Sequence, residues 1–477
     1  MNQTRVRFAP SPTGYLHIGG LRTALYDYLF ARKSNGACIL RIEDTDQSRE
    51  VEGAAEMLIS TLHELGIDFD ESPASGGEFG PYIQSQRLDL YRKHSAELVK
   101  KGDAYPCFCT PETLQQMRDE QQEKGEFVKY DRRCLALSKE EVQARLDSHE
   151  SHVIRLKMPD NRKFIFDDVI RGRVEMDASQ SDDQVIIKSD GFPTYHLAAT
   201  VDDHYMQISH VIRGEEWLSS TPKHIWLYEC LGWEAPRWVH LPLILNTDRS
   251  KLSKRMNDVS VQSYLQKGYL REALLNFVAL LGWHGADDRE LYSLEELCEY
   301  FSLERVNKAG AVFDLVKLDW MNGQYLRSLP LETIAKRAEP WFQPKDVLDY
   351  PRYLKIIEAA RDRSTLLPDL AEYAKMFFCP DDLTESDAQF ILIETSQKVL
   401  AWYSHALEAT ADISAENVAE ITNRGIQELG IKGKNYYMPL RLALIGKQHG
   451  PDMPTTIGIL GKEESLVRLR KHLAKPN

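Results

Sequence analysis

The sequence predicts an α/β protein, with an open sheet split by an insertion and followed by a mainly helical half. Three observations carry this prediction. Residues 4–8 (Thr-Arg-Val-Arg-Phe) alternate as a strand, and Pro10, Pro12 and Gly14 then break the chain into a turn. From Leu21 to Lys33 apolar residues recur at Leu21, Ala24, Leu25, Tyr28 and Leu29, one stripe of a helix, and residues 37–43 read as a second strand ending at Glu43. Strand, glycine-rich turn, helix and strand in that order open a nucleotide-binding α/β unit. Beyond about residue 260 helical periodicity takes over, as in Leu270, Ala273, Leu274, Phe277, Val278 and Leu281.

The elements between follow in order. Residues 87–102 read as a helix. From Tyr105 to about Asp190 the texture changes to a cysteine cluster, charged stretches and short strands such as His152–Met158. The α/β pattern resumes at Thr194–Asp203, and Gln207–Arg213 reads as a strand. A helix follows, opened by Ser219, Ser220, Thr221 and Pro222 and closed by Gly232, residues that suit helix ends. The apolar run Val239–Leu245 reads as one more strand of the same sheet. Residues 105–190 are therefore expected to be an insertion splitting one sheet domain into halves.

Composition narrows the class. The 477 residues are 43% apolar and 27% charged, with 27 Gly and 21 Pro, which excludes a collagen, a disulfide scaffold and a wholly disordered chain. There is no eighteen-residue apolar run and no apolar stretch in the opening MNQTRVRFAPSP, so the expectation is a cytoplasmic protein with no membrane partner. Seven cysteines suit a reducing compartment; Cys38, Cys230, Cys298 and Cys379 stand alone and read as small core residues. The net charge of −13 is uneven: residues 381–430 hold ten acidic and two basic side chains, residues 431–477 nine basic and three acidic. A polyanion needs a local positive face rather than a positive total, so charge permits a nucleic-acid partner; a solvated helix face gives the same pattern.

Two constellations carry chemistry. Pro10-Ser11-Pro12-Thr13-Gly14-Tyr15-Leu16-His17-Ile18-Gly19-Gly20 lies between strand and helix, where an open α/β sheet binds its ligand. Gly19 and Gly20 allow close approach to the backbone, the helix N-terminus offers N–H groups, and His17 adds a donor for charge building on phosphorus. Lys251-Leu252-Ser253-Lys254-Arg255 follows a strand of the resumed sheet and can reach the same crevice; alone it reads equally as a solvated basic loop.

Together, His17-Ile18-Gly19-Gly20 and Lys251-Leu252-Ser253-Lys254-Arg255 resemble the two nucleotide-binding signatures of class I aminoacyl-tRNA synthetases. The words Arg7-Phe8-Ala9-Pro10-Ser11-Pro12-Thr13-Gly14, Arg41-Ile42-Glu43-Asp44-Thr45-Asp46, Asp190-Gly191-Phe192-Pro193-Thr194-Tyr195, Val201-Asp202-Asp203-His204 and Val211-Ile212-Arg213-Gly214-Glu215-Glu216-Trp217 resemble bacterial-type glutamyl-tRNA synthetases. The likeness runs on through Trp320-Met321-Asn322-Gly323 and Met438-Pro439-Leu440-Arg441, so it spans essentially the whole chain. The resemblance implies a class I Rossmann-type catalytic domain in halves 1–104 and 191–258, an acceptor-end-binding insertion at 105–190, a helical stem-contact domain at 259–326, and anticodon-binding helical subdomains at 327–380 and 381–477. It implies ATP and Mg²⁺, L-glutamate and tRNA(Glu) as reactants, a glutamyl-adenylate intermediate and a monomer. Whether tRNA(Gln) is also charged, and whether activation waits for tRNA, the residues leave open.

Site residues carried over from the family are Arg7, Ala9, Ser11, Glu43, Tyr195 and Arg213 for glutamate, with Glu43 taking the ammonium. His17, Gly19, Gly20, Glu216, Trp217 and Lys254 are carried over for ATP, and His17, Gly19, Lys251 and Lys254 for catalysis. A dicarboxylate with one ammonium needs two cationic donors and one anion, and Arg forks match carboxylates; which arginine meets which carboxylate stays open. Arg7, Arg41 and Glu43 sit in strand alternation that would bury one face, so a partner is needed. The substrate carboxylate is itself the nucleophile, leaving position and electrostatics to the protein. The chain departs from the family pattern at Gly20, where the class has a second histidine, and at Ala199, where many relatives carry asparagine.

Some family members bind zinc in the insertion through Cys-x-Cys and a later Cys-x-His. Here Cys107, Cys109 and Cys134 match, but Ala136 replaces the histidine. The related glutamyl-queuosine tRNA synthetases use a tyrosine, and Tyr130 stands four residues before Cys134 as that variant needs. The two readings are one structural Zn²⁺ on three thiolates and a phenolate, or a degraded site with three free thiols. The long helical C-terminal half argues against a glutamyl-queuosine enzyme, and a non-catalytic RNA-binding paralogue should have lost Glu43, Arg213 or Lys254.

Overall fold

The computed structural model describes residues 3–126, 128–252, 258–380 and 382–473. The chain forms two compact units, Met1–Tyr264 with Leu274–Leu315, and Leu265–Ala273 with Val316–Asn477.

In the first unit the strand Arg5–Phe8 lies parallel to Ala37–Leu40, with Arg5 opposite Ala37 and Phe8 opposite Leu40. Helix Ile18–Lys33 makes the crossover, and its Leu21, Leu25 and Leu29 are fully buried. Each such leucine contributes about 1.5–3 kcal/mol. A second parallel pair joins His210–Gly214 to Arg237–Leu241, and the Ser209 N–H donates to the Arg5 carbonyl at 2.9 Å, setting this pair beside the opening strand. Helices Tyr195–Tyr205 and Thr221–Leu231 precede and connect it. Parallel sheets are covered on both faces, so all four residues of Arg5–Phe8 are buried, where alternation predicted one buried face.

Other boundaries also moved. The second strand ends at Leu40, although Ile42 still bridges Ile83. The strand expected from Gln207 starts at His210, since Gln207 has φ of 55° and belongs to a turn. The run Val239–Leu245 is two strands, Arg237–Leu241 and Ile244–Leu245, interrupted at Pro242, which has no N–H for the ladder. Gly232 closes Thr221–Leu231 in the left-handed conformation as expected, but Ser220 makes no cap hydrogen bond. The 3-10 turn Glu215–Ser220 runs straight into that helix, so Ser220 already has helical backbone angles. Of the cysteines read as core, Cys38 is buried, Cys230 and Cys298 are half-buried, and Cys379 is exposed at a helix end.

Between the parallel pairs, Ala104–Cys107, Val153–Leu156 and Val185–Ile187 form an antiparallel sheet. The hairpin Lys163–Asp168 and Gly172–Asp177 bridges from Asp168 to Trp238, which brings an acidic side chain of this stretch under strand Arg237–Leu241. In the second unit, helices Leu331–Ala338, Tyr350–Arg361 and Leu367–Phe378 pack around Ile334, Tyr353, Leu370 and Phe377. Helix Glu394–Ala409 packs with Ala415–Leu429, Lys434–Ile445 and Lys462–Lys471 around Leu400, Tyr403, Tyr436 and Leu469. Among the described residues no helix is long and apolar enough to cross a membrane.

Candidate active site

The carboxyl ends of Arg5–Phe8 and His210–Gly214 and the N-terminus of helix Ile18–Lys33 enclose a cavity of about 820 Å³ within the first unit. Chain leaving parallel strands at this edge is where open α/β sheets hold ligands. Arg7, Ala9, Ser11, His17, Gly19, Gly20, Glu43, Tyr195, Arg213, Glu216, Trp217 and Lys251 all line it. Lys254 lies outside the described residues.

Under the cavity floor sits a buried charge network. Asp203 Oδ1 accepts from Arg7 Nε at 2.9 Å and from Arg41 Nη1 at 2.7 Å, and Arg41 Nη2 donates to Glu43 at 2.9 Å. Arg41 is wholly buried, and Arg7, Glu43 and Asp203 nearly so. Burial works against the Asp203 carboxylate, but Arg7 and Arg41 outweigh it and hold its pKa below the ordinary value. Glu43 goes the other way: burial raises its pKa and Arg41 offsets this only in part. Neighbouring Asp202 accepts from Arg87 Nε at 2.7 Å, Tyr91 Oη at 2.8 Å and Gln84 Nε2 at 2.9 Å. Arg41 Nε also lies 3.7 Å from Asp202, so three arginines face three carboxylates, and in low dielectric they persist only as a set, since a lone buried charge costs several kcal/mol.

Arg213 is held differently. Its Nε donates to His240 Nε2 at 3.1 Å, Nη1 to His224 Nδ1 at 3.0 Å and to Tyr195 Oη at 3.1 Å, and Nη2 to Thr221 Oγ1 at 3.0 Å and the Trp217 carbonyl at 3.4 Å. The Tyr195 and Trp217 rings pack at 4.4 Å between centroids. At the other end, His17 caps helix Ile18–Lys33, its Nδ1 accepting from the Gly19 N–H at 3.2 Å, which puts the proton of a neutral His17 on Nε2. Among the described residues a Cβ on Gly19 would meet His17 Nδ1 alone, at 3.5 Å, whereas one on Gly214 would collide with the Glu216 carboxylate folded back over it.

The cysteine cluster is a second convergence. The sulfurs of Cys107, Cys109 and Cys134 lie within 4.8 Å of one another, and Tyr130 Oη is 3.3 Å from Cys107 Sγ and 3.5 Å from Cys109 Sγ. The interaction with Cys134 pulls the Cys107 thiol down against the effect of burial, and the same interaction pushes Cys134 up. The Arg155 guanidinium stacks 4.0 Å over the Tyr130 ring, a counter-charge for thiolate and phenolate. Three soft sulfurs and one oxygen at this spacing fit a tetrahedral zinc centre.

Sequence reasoning assigned no role to several residues here. Asp203 lay within a quoted motif, and its spacing to Arg7 and Arg41 carried no sign of pairing. His224, His240 and Asp168 had no local signal at all. Lys188, whose Nζ donates to the Thr45 carbonyl at 3.1 Å, and Arg22, which donates to the Leu281 carbonyl at 3.2 Å, also line the cavity.

The family model for tRNA synthetases class I (E and Q), catalytic domain, matches residues 3–320, and that for an anticodon binding domain matches residues 333–473. A glutamate–tRNA ligase of Alkaliphilus metalliredigens is 46% identical, covering 98% of this chain and 99% of the relative, and one of Clostridioides difficile is 46% identical over 98% of each. The crystal structure of a glutamate tRNA ligase from Elizabethkingia meningosepticum in complex with its amino acid superimposes with a TM-score of 0.91 at 39% identity, covering 99% of both chains.

Proposed function

We propose a function from one premise: the chain belongs to the class I tRNA synthetases of the E and Q type. Its reaction is that of a glutamate–tRNA ligase. A carboxylate oxygen of L-glutamate attacks the α-phosphorus of ATP, the bond to pyrophosphate breaks, and pyrophosphate leaves with the electron pair. The terminal ribose hydroxyl of tRNA(Glu) then attacks the glutamyl carbonyl, and AMP leaves. The observation that carries this reading is the convergence in one cavity of residues drawn from positions 7 to 251, each suited to a part of these reactants.

Arg7 and Arg213 receive the carboxylates and Glu43 the ammonium, with Ala9, Ser11 and Tyr195 completing the glutamate side. His17, Gly19, Gly20, Glu216 and Trp217 hold ATP, whose phosphates carry Mg²⁺. The proton on His17 Nε2, with Lys251 and Lys254, offsets charge as pyrophosphate departs. Because Asp203 already orients Arg7, little reorganisation accompanies the charge shift.

Around this centre, 1–104 and 191–258 act as the catalytic halves and 105–190 receives the acceptor end. Residues 259–326 contact the stem, and 327–380 and 381–477 read the anticodon. Cys107, Cys109, Tyr130 and Cys134 would hold one structural zinc, which would supply a cross-link tying strand Ala104–Cys107 to the segment around Cys134. The working form is a cytoplasmic monomer. Charging of separately purified tRNA(Glu) and tRNA(Gln) with glutamate, ATP and Mg²⁺ tests the reading. Charging of tRNA(Glu) is expected, charging of both extends the range to tRNA(Gln), and charging of neither overturns it.

A further inference from the structure

Arg7 and Arg41 each meet a carboxylate, but among the described residues no carboxylate lies within ion-pair distance of Arg213, although it is buried. We propose that His224, His240 and Thr221 are positioning residues that hold the Arg213 guanidinium through neutral acceptors, leaving its charge uncompensated for a carboxylate of the substrate. This deepens, and rests on, the glutamate–tRNA ligase reading.

A guanidinium only donates, so any ring nitrogen in its plane of hydrogen bonds carries no proton. His240 Nε2 and His224 Nδ1 are therefore bare, and each imidazole is neutral with its proton on the far nitrogen. Both far nitrogens have an acceptor that fixes this tautomer. His240 Nδ1 donates to Asp168 Oδ2 at 2.7 Å, and His224 Nε2 donates to His196 Nδ1 at 2.9 Å. The Asp168 charge is itself taken up by the backbone N–H groups of Ile170, Arg171 and His240, at 3.0, 2.8 and 3.1 Å. Burial, then the nearby cations, holds His224 well below the ordinary imidazole value and His196 down at about 3, so neither takes a second proton.

The remaining Arg213 donors go to Tyr195 Oη and the Trp217 carbonyl, groups of two residues that line the cavity. The Trp217 contact, at 3.4 Å, is the longest of the five and the one a carboxylate displaces most easily. Tyr195 Oη accepts from Arg213 and keeps its own proton to donate to the same carboxylate. Anionic acceptors would grip Arg213 more tightly but cancel its field; neutral ones fix its geometry and export the charge, which favours a carboxylate over the isosteric carboxamide.

The test compares His224→Gln with His224→Glu in the full chain, by steady-state charging of tRNA(Glu), with KM for L-glutamate and for ATP read separately and thermal melting as the fold control. Both substitutions leave an acceptor facing Arg213, and only the second adds charge. The expected result is a glutamate KM about tenfold or more higher in H224E than in H224Q, with ATP KM values agreeing within about threefold. Equal glutamate KM values overturn the proposal. Thr221→Asp against Thr221→Asn makes the same comparison from the other side of the guanidinium, at a helix start that favours Asp, and carries the test if H224E does not fold. A parent chain that charges no tRNA overturns the ligase reading; a charging parent with flat pairs overturns only the role of the neutral acceptors.

Discussion

Replacing Asp203 by Asn removes one negative charge from the set under the cavity and leaves its shape nearly intact. Asp203 receives two charge-assisted hydrogen bonds, from Arg7 at 2.9 Å and Arg41 at 2.7 Å, with side-chain exposures of 4% and 0% for the two arginines. Asn keeps the oxygen that accepts both bonds but carries no charge, so Arg41 is left with Glu43 at 2.9 Å and Asp202 at 3.7 Å, and Arg7 loses its bonded counter-charge. Removing one partner of a buried pair costs about 3–5 kcal/mol, against about 0–1 for an exposed pair. We expect D203N to lose about 3 kcal/mol or more from unfolding of the first unit, followed by urea titration of tryptophan fluorescence. The pH dependence has a definite sign. Because the folded pKa of Asp203 is depressed, its contribution is present above the unfolded value near 4 and is lost as pH falls through the folded value. D203N should therefore lose stability at pH 7 and show a flatter acid limb below about pH 4 than the parent. A loss under about 1 kcal/mol at pH 7, or an unchanged acid limb, would refute the network as a cooperative charge set.

Lys254→Ala should lower the activation rate by about 10²–10³ while sparing tRNA binding, read by pyrophosphate exchange and filter binding; unchanged turnover removes Lys254 from the mechanism. Asp27, on the buried face of helix Ile18–Lys33, has no hydrogen-bond partner among the described residues on either carboxylate oxygen, and burial raises its pKa well above the usual range. Its stabilising contribution holds below the unfolded value near 4 and is lost as pH rises through the folded value, so Asp27→Asn should gain stability on the parent at pH 8 and little at pH 4. Equal stability slopes would show that Asp27 is paired or hydrated. Atomic emission on purified protein should find about one zinc per chain, lost together with several degrees of melting temperature on chelation; Cys109→Ser should abolish that response, and a metal-free chain with the parent melting temperature would establish free thiols.

What was legible in the sequence was local. The turn after the first strand, the helix carrying His17 and Gly19, and the left-handed Gly232 follow from residues adjacent in the chain, and the words after Arg5–Phe8, Ala37–Leu40 and His210–Gly214 named cavity lining because they sit at strand ends, whereas Val201–His204 lies within helix Tyr195–Tyr205. The strand Val239–Leu245 was misread because apolar runs do not report a Pro242 break in a ladder as strongly as they report burial. Partner choice was not legible. Alternation required a counter-charge for Arg7 but could not name Asp203, 196 residues away, because that depends on which helix covers the strand.

The sequence by itself therefore determined the chemical inventory: two arginines and a carboxylate for a charged amino acid, a capped helix start for phosphates, and sulfurs at metal spacing. Only the tertiary structure decided how each charge is spent. Arg7 is paired beneath the cavity by a carboxylate from helix Tyr195–Tyr205, while Arg213 is held by imidazoles from Thr221–Leu231 and Arg237–Leu241. The physical reason is that a hydrogen bond is chosen by distance and desolvation in the folded interior, and those exist only after the parallel strands have set which side chains are neighbours.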